Sequence, residues 1–318
     1  MKRLLLALLL LALPARAEFP DKPMRLVIPF TPGGTNDIIG RLVTEGMGRR
    51  LGQNIIIENR GGAGGMLGAD IVAKAAPDGY TILLGGSGSL TISSLVHAHV
   101  PFDVATAFAP IGLMAVGPNV IVVHPSLPVH SLRELQAHAR AARPPLSYAS
   151  PGVGSTGHAA GVMLQQALGV EMEHIPYRGT APALTDVMAG RIPVFTNALA
   201  PMQPYIEAGR LRALAIAGPR RSPAMPDLPT TAEAGFPQVQ AATWFGLLAT
   251  GGTPADRVDR LHAALNETLA DPEVRRKLEE SGSEVEASDS PAAFALYFAE
   301  DRARWAAVID RAGMRGLD

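Results

Sequence analysis

The chain has 318 residues, with 28 lysines and arginines set against 29 aspartates and glutamates, and no cysteine. A near-neutral balance without a basic block gives no footprint for nucleic acid or an anionic membrane surface. The missing cysteines exclude disulfides and thiolate chemistry, so stability has to come from packing.

The amino terminus reads as an export signal. Lys2 and Arg3 precede an unbroken apolar run from Leu4 to Leu13, and Ala15-Arg16-Ala17 supplies the small residues of a cleavage site before Glu18. The run is too short for a spanning helix, which needs roughly 20 residues. The sequence therefore predicts a signal peptide over 1–17, a periplasmic location and a soluble mature chain. Its formal charge falls from −1 to −4 once Lys2, Arg3 and Arg16 are removed.

Strand-length apolar runs then alternate with amphipathic, helix-length segments. Met24 to Phe30 is a strand, Asp37 to Leu51 a helix, Ile55 to Ile57 a strand, Met66 to Ala76 a helix and Tyr80 to Leu84 a strand. A second run starts at Val120 to His124. Helices over 131–142, 157–168 and 181–189 alternate there with strands over 146–150, 172–176, 192–196 and 211–217. One more strand over 244–249 precedes a helical tail whose starts are marked by Thr253-Pro254, Asp271-Pro272 and Ser290-Pro291. This rhythm predicts an α/β fold of two lobes, each a mostly parallel sheet flanked by helices. Lobe 1 is expected over 18–123 with 243–318 and lobe 2 over 124–242. Two hinge crossings, near 122–126 and 240–246, would join them.

Ligands of parallel α/β sheets sit beyond the carboxyl ends of the strands, where helix starts present free N–H groups to an anion. Four loops have that form. The first, Pro29 to Asp37, offers Phe30, Thr31, Gly33, Gly34, Thr35 and Asp37, although the same residues suit an ordinary capped turn. Gly34 is expected to be needed there because a Cβ would meet the ligand or demand an unfavourable backbone angle. The second, Gly85 to Ser89, offers Ser87 and Ser89. The third offers Ser150, Gly154, Ser155, Thr156 and His158; the fourth offers Arg178, Gly179, Thr180 and Ala181, with the backbone of that loop favoured over the Arg178 side chain.

Gly152, Gly154 and Gly157 in the third loop also match G-x-G-x-x-G, so a secreted dinucleotide-dependent oxidoreductase competes on that motif alone. An exported chain, however, would not meet free nicotinamide cofactor. No metal-ligand spacing, nucleophile elbow or Walker loop is present, so neither catalysis, cofactor nor metal is expected. His97 and His99 read as a solvated pair on a strand.

Taken together, many short motifs in order resemble one family, the tripartite tricarboxylate transporter receptors, also called Bug proteins. The resemblance is carried by Pro29 to Gly34 with Asp37, Glu58-Asn59-Arg60, Ala76 to Thr81, Gly154-Ser155 with His158, Pro176 to Ala183, Ala208 to Leu211 and Trp244-Phe245-Gly246. It implies a type II periplasmic-binding-protein fold that closes on a small carboxylate. It also implies delivery of that ligand to the large and small membrane subunits of a transporter. A monomer is expected, and presentation of the ligand to a membrane sensor kinase is the alternative role. Similarity to the family further implies that Phe30 to Thr35 hold a carboxylate through backbone groups and waters, with Ser155, Thr156 and His158 engaging it from lobe 2. Asn197 enters the candidate set in the same way. Relatives carry an aspartate before that asparagine, where this chain has Thr196, so an ammonium-bearing ligand loses a counter-charge. Asp186 remains nearby in sequence.

Overall fold

The computed structural model describes residues 18–317; the export signal expected over 1–17 lies outside the described residues. In lobe 1, β1 (Met24–Ile28) pairs in parallel with β2 (Ile55–Asn59) and β3 (Thr81–Gly86), setting Leu26 opposite Ile57 and Ile82. Helices α1 (Thr35–Leu51) and α2 (Met66–Ala73) make the crossovers. The alternation of β1 is what gives the sheet two covered faces. Leu26 and Ile28 face α1, meeting Ile39, Val43 and Met47, while Val27 packs with Ala69 and Val72 of α2.

Beyond β3 the glycine- and serine-rich segment Ser87–Ile92 is a wide, π-type helical turn leading into the short α3 (Ser93–Val96). It was legible only as a loop. The main departure follows. Strand β4 runs over Phe108–Val123, far longer than the expected 120–124. Its first part pairs antiparallel with β9 (Ala242–Thr250), and its second with β7 (Val194–Ala198) and β8 (Arg212–Ala217). The change of partner falls at Pro118–Asn119, several residues before the crossing expected at 122–126. The chain returns at Ala241–Ala242. Asn119 fastens the two crossings, because its backbone N–H and its Nδ2 each donate to Ala241 O at 3.0 Å.

Lobe 2 repeats the parallel core. In it β5 (Ser147–Ser150) lies between β6 (Glu173–Pro176) and β7, with Tyr148 opposite His174 and Val194. Its helices are α4 (Leu132–Ala141), α5 (Thr156–Leu168), α6 (Thr180–Met188) and α7 (Gln203–Glu207). Each lobe thus has three parallel strands, and the crossing chain extends them with antiparallel ones.

The tail forms α8 (Ala255–Ala270), α9 (Pro272–Glu280), the two-residue β10 (Glu284–Val285) and α10 (Pro291–Ala312). Ser290 caps α10, its side chain accepting from Ala293 N–H. The buried stripe of α10 divides between the lobes: Phe294 and Phe298 enter the lobe 1 core beside Trp244, whereas Trp305 and Ile309 enter the lobe 2 core beside Leu164 and Leu168. The tail was expected to belong to lobe 1 throughout; its last helix spans both.

Candidate functional site

The cleft is built by three helix starts. Helix α1 begins after Gly34 and α6 after Gly179, and neither glycine supplies a side-chain cap. Their first-turn N–H groups are therefore left without a side-chain partner. Helix α5 is capped by Ser155, whose Oγ accepts from His158 N–H at 3.1 Å and donates to Gly152 O at 2.7 Å. All three starts border one cavity, walled also by Phe30, Gly88, Thr243 and Phe245. None of its lining residues carries a charge. Each helix start acts as roughly half a positive charge, so the cavity attracts an anion without any cationic side chain.

Thr35 lines the cavity, and its Oγ1 is buried with no hydrogen-bond partner among the described residues. Across the cleft, Asn197 Nδ2 donates to Thr180 Oγ1 at 3.0 Å. The Thr156 and Thr243 hydroxyls share a bond of 2.7 Å.

Eight of the expected contacts line this cavity: Phe30, Gly34, Thr35, Ser89, Ser155, Thr156, Thr180 and Asn197. The others lie around it. Asp37 holds its own loop: it accepts from Gly33 N–H at 3.0 Å, from Arg41 and from Asn59 Nδ2. Burial works to raise the Asp37 carboxyl, but the bonds from Arg41, Gly33 and Asn59 outweigh it and hold its pKa below the ordinary value. Asn59 also donates to Phe30 O at 3.1 Å, fixing where Phe30 stands. Ser87 accepts from Trp244 N–H at 3.1 Å and so ties the wide helical turn to β9. Ser150 bonds to His174 and to the Gly152 backbone.

Gly154 donates to His158 Nδ1 at 3.3 Å. His158 is buried and stacks on His174 with centroids 4.1 Å apart. Burial, with help from His174 and His97, lowers the pKa of His158 to about 3; burial lowers that of His174 to about 4. Both are therefore neutral and serve as packing beneath the α5 start. Thr31 and Gly179 touch each other across the cleft, with Ala181 close to Gly33. Arg178 is exposed at the rim of a neighbouring pocket. Asp186 is no counter-charge for the cleft, being bonded to Tyr177 and Arg191 instead.

Two expectations need correcting. Gly34 has φ −88°, open to any residue, so backbone strain is not why it is small. A Cβ there would lie 3.3 Å from Thr180 Oγ1, so the constraint comes from the opposing lobe. The G-x-G-x-x-G glycines are likewise occupied by packing. A Cβ at Gly152 would press on Tyr177 O at 2.9 Å, one at Gly154 on Ser93 Oγ at 2.6 Å, and one at Gly157 on Thr196 O. No glycine of the three is left to admit a pyrophosphate. Among the described residues, moreover, no three His, Asp or Glu side chains gather as metal ligands.

Sequence reasoning missed Thr243 and Phe245 in the far hinge strand, Gly86 and Gly88, and Pro151. The strand itself is predicted over 244–249, but nothing local shows that it lines the cleft.

The family described as "Tripartite tricarboxylate transporter family receptor" matches residues 39–314. The chain belongs to that family. Over 307 residues it is 32% identical to protein BugT of Bordetella pertussis, spanning 96% of this chain and 94% of BugT. Two solved structures superpose closely. R. palustris Rpa4515 with adipate has a TM-score of 0.90 at 36% identity, covering 94% of this chain and all of that one. MatC from Rhodopseudomonas palustris with bound malate has a TM-score of 0.88 at 33% identity, covering 92% and 100%. The family is thus shown by sequence and fold together, and its receptors share the two-lobed architecture described above.

Proposed function

We propose that this receptor takes a small dicarboxylate into the cleft between its lobes in the periplasm. It then releases the ligand to the membrane subunits of a tripartite tricarboxylate transporter, performing no covalent chemistry. The observation that carries this reading is a cavity bordered by three helix starts, two of them with first-turn N–H donors that no side chain caps, and lined by no charged side chain among the described residues. A carboxylate supplies the acceptor that such donors lack, and the helix starts favour its charge. Relatives solved with adipate and with malate support the ligand class. The neutral cavity offers no acid–base pair and no nucleophile beside a base, which supports binding without turnover.

Thermal unfolding with dicarboxylates, tricarboxylates, aromatic acids and NAD is the direct test. A ligand at 100 times its Kd should stabilise the protein by about 2.7 kcal/mol. Stabilisation by dicarboxylates is the expected result; stabilisation by NAD alone would overturn the receptor reading. Export is tested separately, by amino-terminal sequencing of periplasmic extract, where a start at Glu18 is expected and a retained Met1 would contradict it.

A further inference from the structure

A second pocket, of about 210 Å³, adjoins the ligand cavity. Phe30 and Pro151 wall both spaces, so they form the partition between them. The Phe30 ring is received by glycines: a Cβ at Gly65 would lie 3.2 Å from its Cζ, and one at Gly88 would lie 3.8 Å away. Side chains at those two positions would pin the ring. Glycine leaves it a slot.

The chemistry on the two sides of the ring differs. No charged residue lines the inner cavity, whereas Arg178 and His97 line the outer pocket. Arg178 is exposed and forms no ion pair among the described residues; the acid that follows it in sequence, Asp186, is already bonded to Arg191 and Tyr177. His97 was expected to be a solvated strand residue. It instead follows α3, and its Nε2 is buried without a partner among the described residues. The remaining wall includes the Ala63–Gly65 turn of lobe 1 and the Gly152–Val153 turn of lobe 2. The outer pocket is therefore also formed jointly by the lobes.

We infer that the outer pocket is a second anion subsite, with Arg178 as its charge and His97 as a further hydrogen-bonding group, and that Phe30 sets the ligand's length by separating it from the inner cavity. This rests on the reading of the inner cavity as a carboxylate site. One carboxylate of a diacid sits at the helix starts. A short diacid keeps both of its charges on the inner side of the ring. A longer one has to pass its second carboxylate beyond the ring, where a guanidinium and an imidazole can bond to it. Trimming the ring joins the two spaces and should let the longer ligand use both.

The test is calorimetry with an α,ω-dicarboxylate series from succinate to sebacate. It compares the unaltered protein, Phe30→Ala and Phe30→Leu, each with and without Arg178→Gln. The readout is the ratio of affinities for long over short diacids. Phe30→Ala should raise that ratio by about tenfold or more, the worth of one added bond to a charged group. Phe30→Leu, which keeps more packing, should shift it in the same direction. Adding Arg178→Gln should return the ratio toward its original value. A ratio unmoved by both Phe30 variants, in proteins that still bind succinate, would overturn the partition. A raised ratio that Arg178→Gln leaves intact would overturn the charged subsite. If no member of the series binds the unaltered protein, it is the carboxylate reading of the inner cavity that fails.

Discussion

Thr156 at the start of α5 and Thr243 in β9 meet hydroxyl to hydroxyl at 2.7 Å, and the bond between them joins lobe 2 to the returning hinge strand. Thr156 therefore ties the two sides of the cleft together. If the proposed carboxylate also accepts from its hydroxyl, Thr156→Ala should lose that bond together with the donor, an interaction worth roughly 1.5–3 kcal/mol, or about 10- to 150-fold in affinity. Thr243→Ala leaves the donor in place and should lose about 1 kcal/mol or less, roughly fivefold. Arg178→Ala should cost less than Thr156→Ala for short acids. Calorimetry ranks the three, and equal losses at Thr156 and Thr243 would show that only the interlobe bond matters.

Gly34→Ala should weaken binding while leaving the melting temperature nearly unchanged. The backbone angle is permissive, and the added Cβ meets Thr180 Oγ1 only where the lobes approach. Such overpacking costs about 1 kcal/mol at its low end, or roughly fivefold in affinity. A large drop in melting temperature with normal affinity would contradict this.

The neutral cavity should discriminate against ammonium groups. Succinate and aspartate share a carbon skeleton, but aspartate brings a cation into a space lined by no acid, where an unpaired charge is costly. Succinate is expected to bind at least about tenfold more tightly, by analogy with the unpaired-group penalty. Equal affinity in competition calorimetry would mean that an acid outside the cavity compensates.

The buried imidazoles predict the pH response. Their folded-state pKa values, about 3 for His158 and about 4 for His174, lie below the unfolded value near 6.5. The unfolded chain therefore takes up protons first as pH falls. The stability they contribute is whole above about pH 6.5 and declines toward pH 4. Thermal unfolding should show a melting temperature lower at pH 5 than at pH 7, with His158→Gln flattening the slope. Asp37 shifts in the same sense but acts lower, its contribution being lost as pH falls below the ordinary carboxylate range. A slope identical in the His158 variant would refute the assignment.

Much of the site could be read from local pattern. Strand, glycine- or serine-bearing turn, then helix is a short-range signature, and the starts it predicts at 37, 157 and 181 lie within two residues of those at Thr35, Thr156 and Thr180. Strand β4 shows where that reading stops. Pro110, Gly112, Gly117 and Pro118 interrupt its sequence as turns do. Its pairing with β9 absorbs two register shifts, between Pro110 and Gly112 and between Leu113 and Ala115, and Pro118 stands where the strand changes partner. Thr243 and Phe245 were hidden for a related reason. They reach the cavity through an antiparallel pairing with distant residues, which leaves no trace in local periodicity. The wide helical turn at 87–92 was equally unmarked, since its Ser-Gly-Ser start is the composition of a loop.

The division of the α10 stripe bears on what a lobe is. Trp305 and Ile309 help complete the lobe 2 core, as do Ile92 and Val96 from the other end of the chain. Residues 124–242 alone would therefore expose a socket of aliphatic side chains where an indole belongs, a loss of roughly 3–5 kcal/mol for the indole by itself. Expressed in isolation, that segment should bind hydrophobic dyes and lack sharp near-ultraviolet dichroism, while the intact chain should unfold in one transition. Two separate melting steps in the intact chain would contradict this. The last helix packs into both cores, so the two lobes are expected to fold as one cooperative unit, and neither should serve alone as a module for another receptor.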